Sequence, residues 1–481
     1  MPFRLLAAIA CAAVLSATAT PQPRDATDMW LDPAESGWGL AVIHQGDTLF
    51  ATLYVYGPDR QPKWYVASGL AGGPSVYSGA LSECAGRWFG GPFPSGSAAC
   101  HEVGPMRFEL GEGSALVDYT VDGVRVSKRV QRYTFRRASA AGAFEGAMIQ
   151  PSAGGSTVGG RHDWTLMIRD DGSRVDMDVS SDSSYCTYTG SASHDGQFEN
   201  VSGTYTCPGR SGSWSMRVDP TTEGLTGTFS GPDVPTGRIA AARFAGQVRM
   251  QGHGWRNDMW FVPGESGWGL SVIEQGNILF ATLFVYDPQG RPRWYVASDL
   301  AQQGDSPDGA VLYTGALLES TGPYFGGPFD PAAVARRQVG PMQFTARADG
   351  SGELSYAVDG VVVTKRLQRF AFRKQVFSGA YLGTWGHDRP ATIAIDDDGA
   401  DFRMQVVDEI GGFGTCDFVA PFSQTGSLRT MAGTFTCRSG AAGSFTLRHA
   451  TVSAHGFTAR FDSPAYGFRS IVDGHLGGAR R

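Results

Sequence analysis

Residues Leu49–Tyr56 read Leu-Phe-Ala-Thr-Leu-Tyr-Val-Tyr, and residues Leu279–Tyr286 read Leu-Phe-Ala-Thr-Leu-Phe-Val-Tyr. The period is two. Leu49, Ala51, Leu53 and Val55 fall on one face of an extended chain, and Phe50, Thr52, Tyr54 and Tyr56 fall on the other. Gly46-Asp47 and Gly276-Asn277 precede the two stretches as hairpin turns, and Asp287-Pro288-Gln289-Gly290 closes the next one. A strand apolar on one side and aromatic on the other, bounded by tight turns, predicts antiparallel β structure. Short β-rich runs bounded by turn residues continue through Phe135 with no helical stretch.

Working outward, Trp30 to Ser68 matches Trp260 to Ser298 at 26 of 39 positions without a gap. Both copies carry Glu-Ser-Gly-Trp-Gly-Leu (Glu35 to Leu40, Glu265 to Leu270) and Trp-Tyr-Val-Ala-Ser (Trp64 to Ser68, Trp294 to Ser298). A more divergent region carries Gly-Thr-Tyr-Thr-Cys at Gly203 to Cys207 and Gly-Thr-Phe-Thr-Cys at Gly433 to Cys437. The order is A, B, A′, B′. We expect a signal peptide over 1–19, module A over 28–138, module B over 142–245, module A′ over 258–374 and module B′ over 377–478. About eight strands in roughly 100 residues fit a small barrel or sandwich. The expected fold is therefore all-β, with tandem small antiparallel meander barrels or sandwiches in two duplicated halves.

Composition agrees. Glycine fills 66 of 481 positions and charged residues only 18%, while the 42% hydrophobic content suffices for packed cores and excludes a disordered chain. The net charge of −6 speaks against a general nucleic-acid binder. Arg4, the apolar run Leu5 to Leu15 and Ala17-Thr18-Ala19 have the order of a cleaved export signal, and no later stretch has the apolar length of a membrane-spanning helix. A periplasmic or extracellular location is expected. With Cys11 removed, Cys84, Cys100, Cys186, Cys207, Cys416 and Cys437 remain, an even set suited to an oxidising compartment. Cys186 to Cys207 and Cys416 to Cys437 occupy matching places in the repeat, and Cys84 and Cys100 are replaced together by Ser320 and Arg336 in the second copy. Three local disulfides are therefore expected.

The Glu-Ser-Gly-Trp-Gly, Phe-Ala-Thr and Trp-Tyr-Val-Ala-Ser segments resemble tandem repeat modules of mostly uncharacterised exported proteins of Gram-negative bacteria, some of them fused behind secreted peptidases. The resemblance lies mainly in A and A′. It implies export and repetition, and brings no catalytic or binding residue with it.

The chain has no Gly-x-Ser-x-Gly elbow, no His-Glu-x-x-His helix and no Gly-Lys-Ser/Thr phosphate loop. His44 becomes Glu274 and His101 becomes Gln338 in the second copy, so a histidine base shared by both A modules is excluded. Asp170-Asp171-Gly172 and Asp396-Asp397-Asp398-Gly399 lack the ligand spacing of a calcium loop and read as hairpin turns. No metal or cofactor is expected. Two surfaces stand out as candidates. The first is aromatic: Trp30, Trp38, Tyr54, Tyr56 and Trp64, with Trp260, Trp268, Phe284, Tyr286 and Trp294 in the second copy, and Glu35 and Glu265 beside them for a ligand hydroxyl. The second is basic: Lys128, Arg132 and Arg136, repeated as Lys365, Arg369 and Arg373, alternate onto one strand face and would meet an anionic surface or protect a sheet edge. The expected function is that of a secreted, non-catalytic binding or envelope-associated repeat protein recognising a glycan or other surface ligand through these aromatic and basic faces. A carboxylate-dependent hydrolase using Glu35 and Glu265, and a structural or inhibitory surface protein, are the alternatives.

Overall fold

A computed structural model describes residues 25–151, 158–181, 184–231, 237–243, 254–305, 310–347, 349–385, 390–408, 414–463 and 474–480. The expected signal peptide and Cys11 lie outside the described residues. Four antiparallel barrels follow one another along the chain. In A, the first strand Asp28–Leu31 closes on the last, Val124–Arg132, through Trp30↔Arg132, and A′ closes identically through Trp260↔Arg369. In B, Gly142–Pro151 pairs with both Val158–Asp170 and Gly237–Arg243. In B′, Thr415–Pro421 pairs with both Asp401–Asp408 and Leu428–Cys437, and the short Gln424–Thr425 lies beside the latter. The choice between barrel and sandwich is thereby settled as barrel.

Local chemistry explains the hairpins. Ser114–Val121 alternates partly exposed and buried residues along its length. Val121 pairs with Val124 across Asp122-Gly123, whose φ angles of 48° and 84° are those of a type I′ turn, and Asp359-Gly360 repeats it at 47° and 86°. Disulfides join Cys84 to Cys100, Cys186 to Cys207 and Cys416 to Cys437, each within one barrel. In A′, Ser320 and Arg336 face each other across the strands where the first of these bonds stands in A.

The strand Thr48–Tyr56 departs from one-sided burial, because every residue in it is buried. Leu49, Ala51, Leu53 and Val55 fill the interior of barrel A. Phe50, Tyr54 and Tyr56 instead join a core continuous with A′. The join is a pseudo-two-fold. Trp64 Nε1 donates to Val285 O at 3.1 Å and Trp294 Nε1 to Val55 O at 3.1 Å. Gln45 bonds Phe370 O and the Phe372 and Arg373 N–H groups, and Gln275 bonds Tyr133 O and the Phe135 and Arg136 N–H groups. Modules B and B′ meet strand against strand, with Ala147, Ile149 and Ala240 against Leu382, Thr226 Oγ1 3.2 Å from Ser453 Oγ and His449 Nδ1 3.1 Å from Glu223 Oε1.

Each A module is also tied to its own B. Asp28 Oδ2 accepts the Gln197 N–H at 3.3 Å, and Asp258 Oδ2 accepts the Ser427 N–H at 2.7 Å. The preceding Gly196 and Gly426 both have φ of +61°, and a Cβ at either would collide with the aspartate carboxylate and the Arg132 or Arg369 side chain.

Candidate functional site

The aromatic set does not form a ligand platform. Trp30 and Trp260 lie inside their barrels, donating from Nε1 to Ala26 O (3.0 Å) and Arg256 O (3.3 Å), edge-on to Phe108 and Phe344. Trp64 packs on Phe284 and Tyr286 at 5.2 and 5.5 Å, and Trp294 on Tyr54 and Tyr56 at 5.9 and 5.6 Å, all within the A–A′ seam. Tyr56 donates its hydroxyl to Gly37 O at 2.5 Å, and Tyr286 does the same to Gly267 O. Of the rings expected to face a ligand, Tyr54, Tyr56, Trp64, Phe284, Tyr286 and Trp294 face the other copy of the module, while Trp30, Trp38 and Trp260 pack into their own barrels.

The glutamates and basic residues answer one another. Glu35 takes Lys128 Nζ at 2.6 and 2.7 Å and Trp38 Nε1 at 3.1 Å, while Glu265 takes Lys365 Nζ at 2.8 Å and Trp268 Nε1 at 3.1 Å. Arg132 and Arg369 are buried, paired with Asp28 Oδ2 at 3.2 Å and Asp258 Oδ2 at 3.1 Å. Burial pushes both aspartates up to about 6, the guanidinium beside each pulling the other way. Arg136 and Arg373 lie beyond the strand ends at Arg132 and Arg369, with Arg373 on Asp47 at 2.7 Å. The expected ridges are thus not outward ridges. Lys128 and Arg132 share the inward face with Val126 and Val130, and the barrel closes the edge they were to protect.

The open space lies between modules. A cleft of about 760 Å³ is bounded by A, B and the Ser453–His455 turn of B′. Strand register builds its floor: Ser193 is opposite Asn200, Asn200 opposite Arg217, and Arg217 opposite Thr228, so one polar row crosses four strands of B. Arg217 is held by Asp195 Oδ2 (2.7 Å) and Asn200 Oδ1 (2.8 Å), and its guanidinium lies 4.5 Å from the Phe198 ring, with that of Arg132 at 4.8 Å. Ser453 holds its turn, its hydroxyl accepting the His455 and Gly456 N–H groups at 3.2 and 3.3 Å.

A smaller cavity of about 100 Å³ shares Asp25, Asp219, Thr226 and Ser453 with the cleft and lies where all four modules meet. His44 lines it. Its Nδ1 accepts the Ala26 N–H at 3.3 Å, its Nε2 is 3.4 Å from the Tyr77 hydroxyl, and burial holds its pKa below the ordinary value. Trp255 also lines the cavity and stacks at 5.0 Å on His449, which pairs with Glu223 at 3.1 Å. None of the floor residues was among the sequence candidates. Their signal is polar residues at outward positions of successive strands, which becomes a surface only once the register is known. No family model, no curated protein and no solved structure matches this chain.

Proposed function

We propose that this chain is an exported, non-catalytic binding protein that takes a polyhydroxylated ligand, a glycan segment, in the cleft between modules A, B and B′. The observation that carries this reading is the cross-strand row Ser193–Asn200–Arg217–Thr228 beside Phe198, at the floor of a cleft of about 760 Å³. Hydroxyl, amide and guanidinium groups in a row match the alternating donors and acceptors of a sugar edge, and a ring beside them suits its apolar face. Arg217 is already oriented by Asp195 and Asn200, which lowers the cost of ordering it on binding. Three disulfides fit an oxidising compartment. Among the described residues, no helix is long and apolar enough to cross a membrane.

The test is a glycan panel, including peptidoglycan fragments and acidic polysaccharide, read by calorimetry on the purified chain. Arg217→Ala and Asn200→Ala should each weaken the best binder by tenfold or more while moving the melting temperature little. Binding that survives both changes places the ligand elsewhere. Turnover of a generic glycoside substrate by the wild type would favour the hydrolase reading.

A further inference from the structure

Module B keeps two carboxylates where module B′ keeps an ion pair. In B′ the buried Arg429 donates from Nη1 to Asp397 Oδ2 and to Gln375 O, both at 2.6 Å, and from Nε to Ser423 O at 3.0 Å. The ungapped match of Gly196–Cys207 with Gly426–Cys437 sets Glu199 in the place of Arg429, and Asp170-Asp171-Gly172 matches Asp397-Asp398-Gly399. The backbone confirms the second match: Gly172 N donates to Asp170 Oδ1 at 2.6 Å, and Gly399 N to Asp397 Oδ1 at 3.1 Å. A position that holds a guanidinium in one copy thus holds a carboxylate in the other, beside a second carboxylate.

Glu199 is fully buried. Its Oε2 accepts the Ala140 N–H at 2.8 Å, but its Oε1 has no hydrogen-bond partner, and neither has the buried Oδ2 of Asp170. Burial, with the charge of Asp170 added, pushes Glu199 up to about 8. The neighbouring bases serve other acceptors: Arg137 bonds Gly172 O, Arg243 bonds Ala141 O and Thr221 O, and His194 Nε2 meets Ala138 O. Leaving a buried carboxylate without a counter-charge is costly. The same fold, in B′, answers that cost with a positive charge.

We propose that Glu199 and Asp170 of module B bind a small hard cation of the calcium class, in the place that the Arg429 guanidinium fills in module B′. Carboxylates, main-chain carbonyls and water make up the ligand set such ions take. Among the described residues, no group of three or more His, Cys, Asp or Glu side chains is placed to hold a metal, so Glu199 and Asp170 would supply only part of the coordination and main-chain carbonyls and water the rest. The outer face of the hairpin is not the site, since Asp171 Oδ1 is taken by the Ser173 and Arg174 N–H groups.

The experiment follows thermal melts of the whole protein in EDTA and then in calcium, magnesium or sodium chloride at constant ionic strength. Calcium at about millimolar concentration, the range of extracellular calcium modules, should raise the wild-type melting temperature by several degrees and saturate. Glu199→Gln should abolish that rise. Glu199→Arg, which copies B′, should melt in EDTA no lower than the calcium-loaded wild type. A wild-type melt indifferent to calcium overturns the proposal; if it also falls as pH rises from about 4.5 to 8, and Glu199→Gln removes that fall, a proton neutralises the pair instead. A calcium shift that persists in Glu199→Gln likewise overturns it, because the ion then binds elsewhere.

Discussion

The A–A′ seam and the B–B′ seam join the same two halves by different means. The first buries indole and phenol rings and returns each main-chain hydrogen bond in kind, as with Trp64 to Val285 O and Trp294 to Val55 O. The second rests on small aliphatic residues, a hydroxyl contact and one ion pair: Ala147, Ile149 and Ala240 on Leu382, Thr226 on Ser453, and His449 on Glu223. The repeat is closest in A and most divergent in B. A residue in the aromatic seam must suit its own barrel and its twin together.

The largest effects should therefore come from the aromatic seam. Trp64→Ala and Trp294→Ala should each cost about 3 to 5 kcal/mol in denaturant unfolding, through the cavity left and the stranded carbonyl. Leu382→Ala, at the other seam, should cost about 2 kcal/mol, the lower end for burying an alanine in place of leucine. Equal losses at the two seams would erase the distinction. Next comes Asp28→Asn, which leaves Arg132 buried without its carboxylate and loosens the contact to Gln197; about 3 kcal/mol is expected. Its twin Asp258→Asn should match it, and a markedly smaller loss in either would show that one half carries the other.

A smaller effect separates A from A′ by pH. Burial lowers the pKa of His44, so the folded chain keeps the ring neutral while the unfolded chain protonates it below about 6.5. Protonation then favours unfolding: the contribution is complete above about 6.5 and is lost as pH falls. Asp28, Asp258 and Glu199, whose pKa values burial raises, pull the wild-type profile the other way, so the His44 contribution is read as a difference: between about pH 7 and pH 5 the His44→Gln melting temperature should gain on the wild type by a few degrees, changing the slope. An unchanged slope would mean that His44 is not the group responsible. Smallest of all, Arg136→Ala should shift stability by no more than about 0.5 kcal/mol, since the side chain is exposed.

Much of this was legible in the chain. The two faces of Leu49–Tyr56, the Gly46-Asp47 turn and the three cysteine pairs follow from period, turn chemistry and the paired loss at Ser320 and Arg336. What could not be read was which surface meets what. Alternation separates Phe50, Tyr54 and Tyr56 from Leu49, Leu53 and Val55, yet it does not say that a second copy covers the first group. Alternation also put Lys128 and Arg132 on one face, but only barrel closure and the carboxylates of Glu35 and Asp28 make that face the inner one. The cleft floor depends on the register of four strands, and the Glu199 for Arg429 exchange means little until both positions are known to be buried.

The pseudo-two-fold axis carries a consequence for how the molecule is able to vary. In a dimer of identical subunits, any substitution arrives on both sides of the axis at once. The equivalent positions of Glu199 and Arg429 could never hold a carboxylate in one half and a guanidinium in the other, nor those of His44 and Glu274 an imidazole and a carboxylate. Joining both halves in one chain removes that constraint, so the scaffold retains symmetric packing at its aromatic seam while each half acquires its own chemistry. Covalent duplication has turned a symmetric frame into one able to hold two unlike interiors.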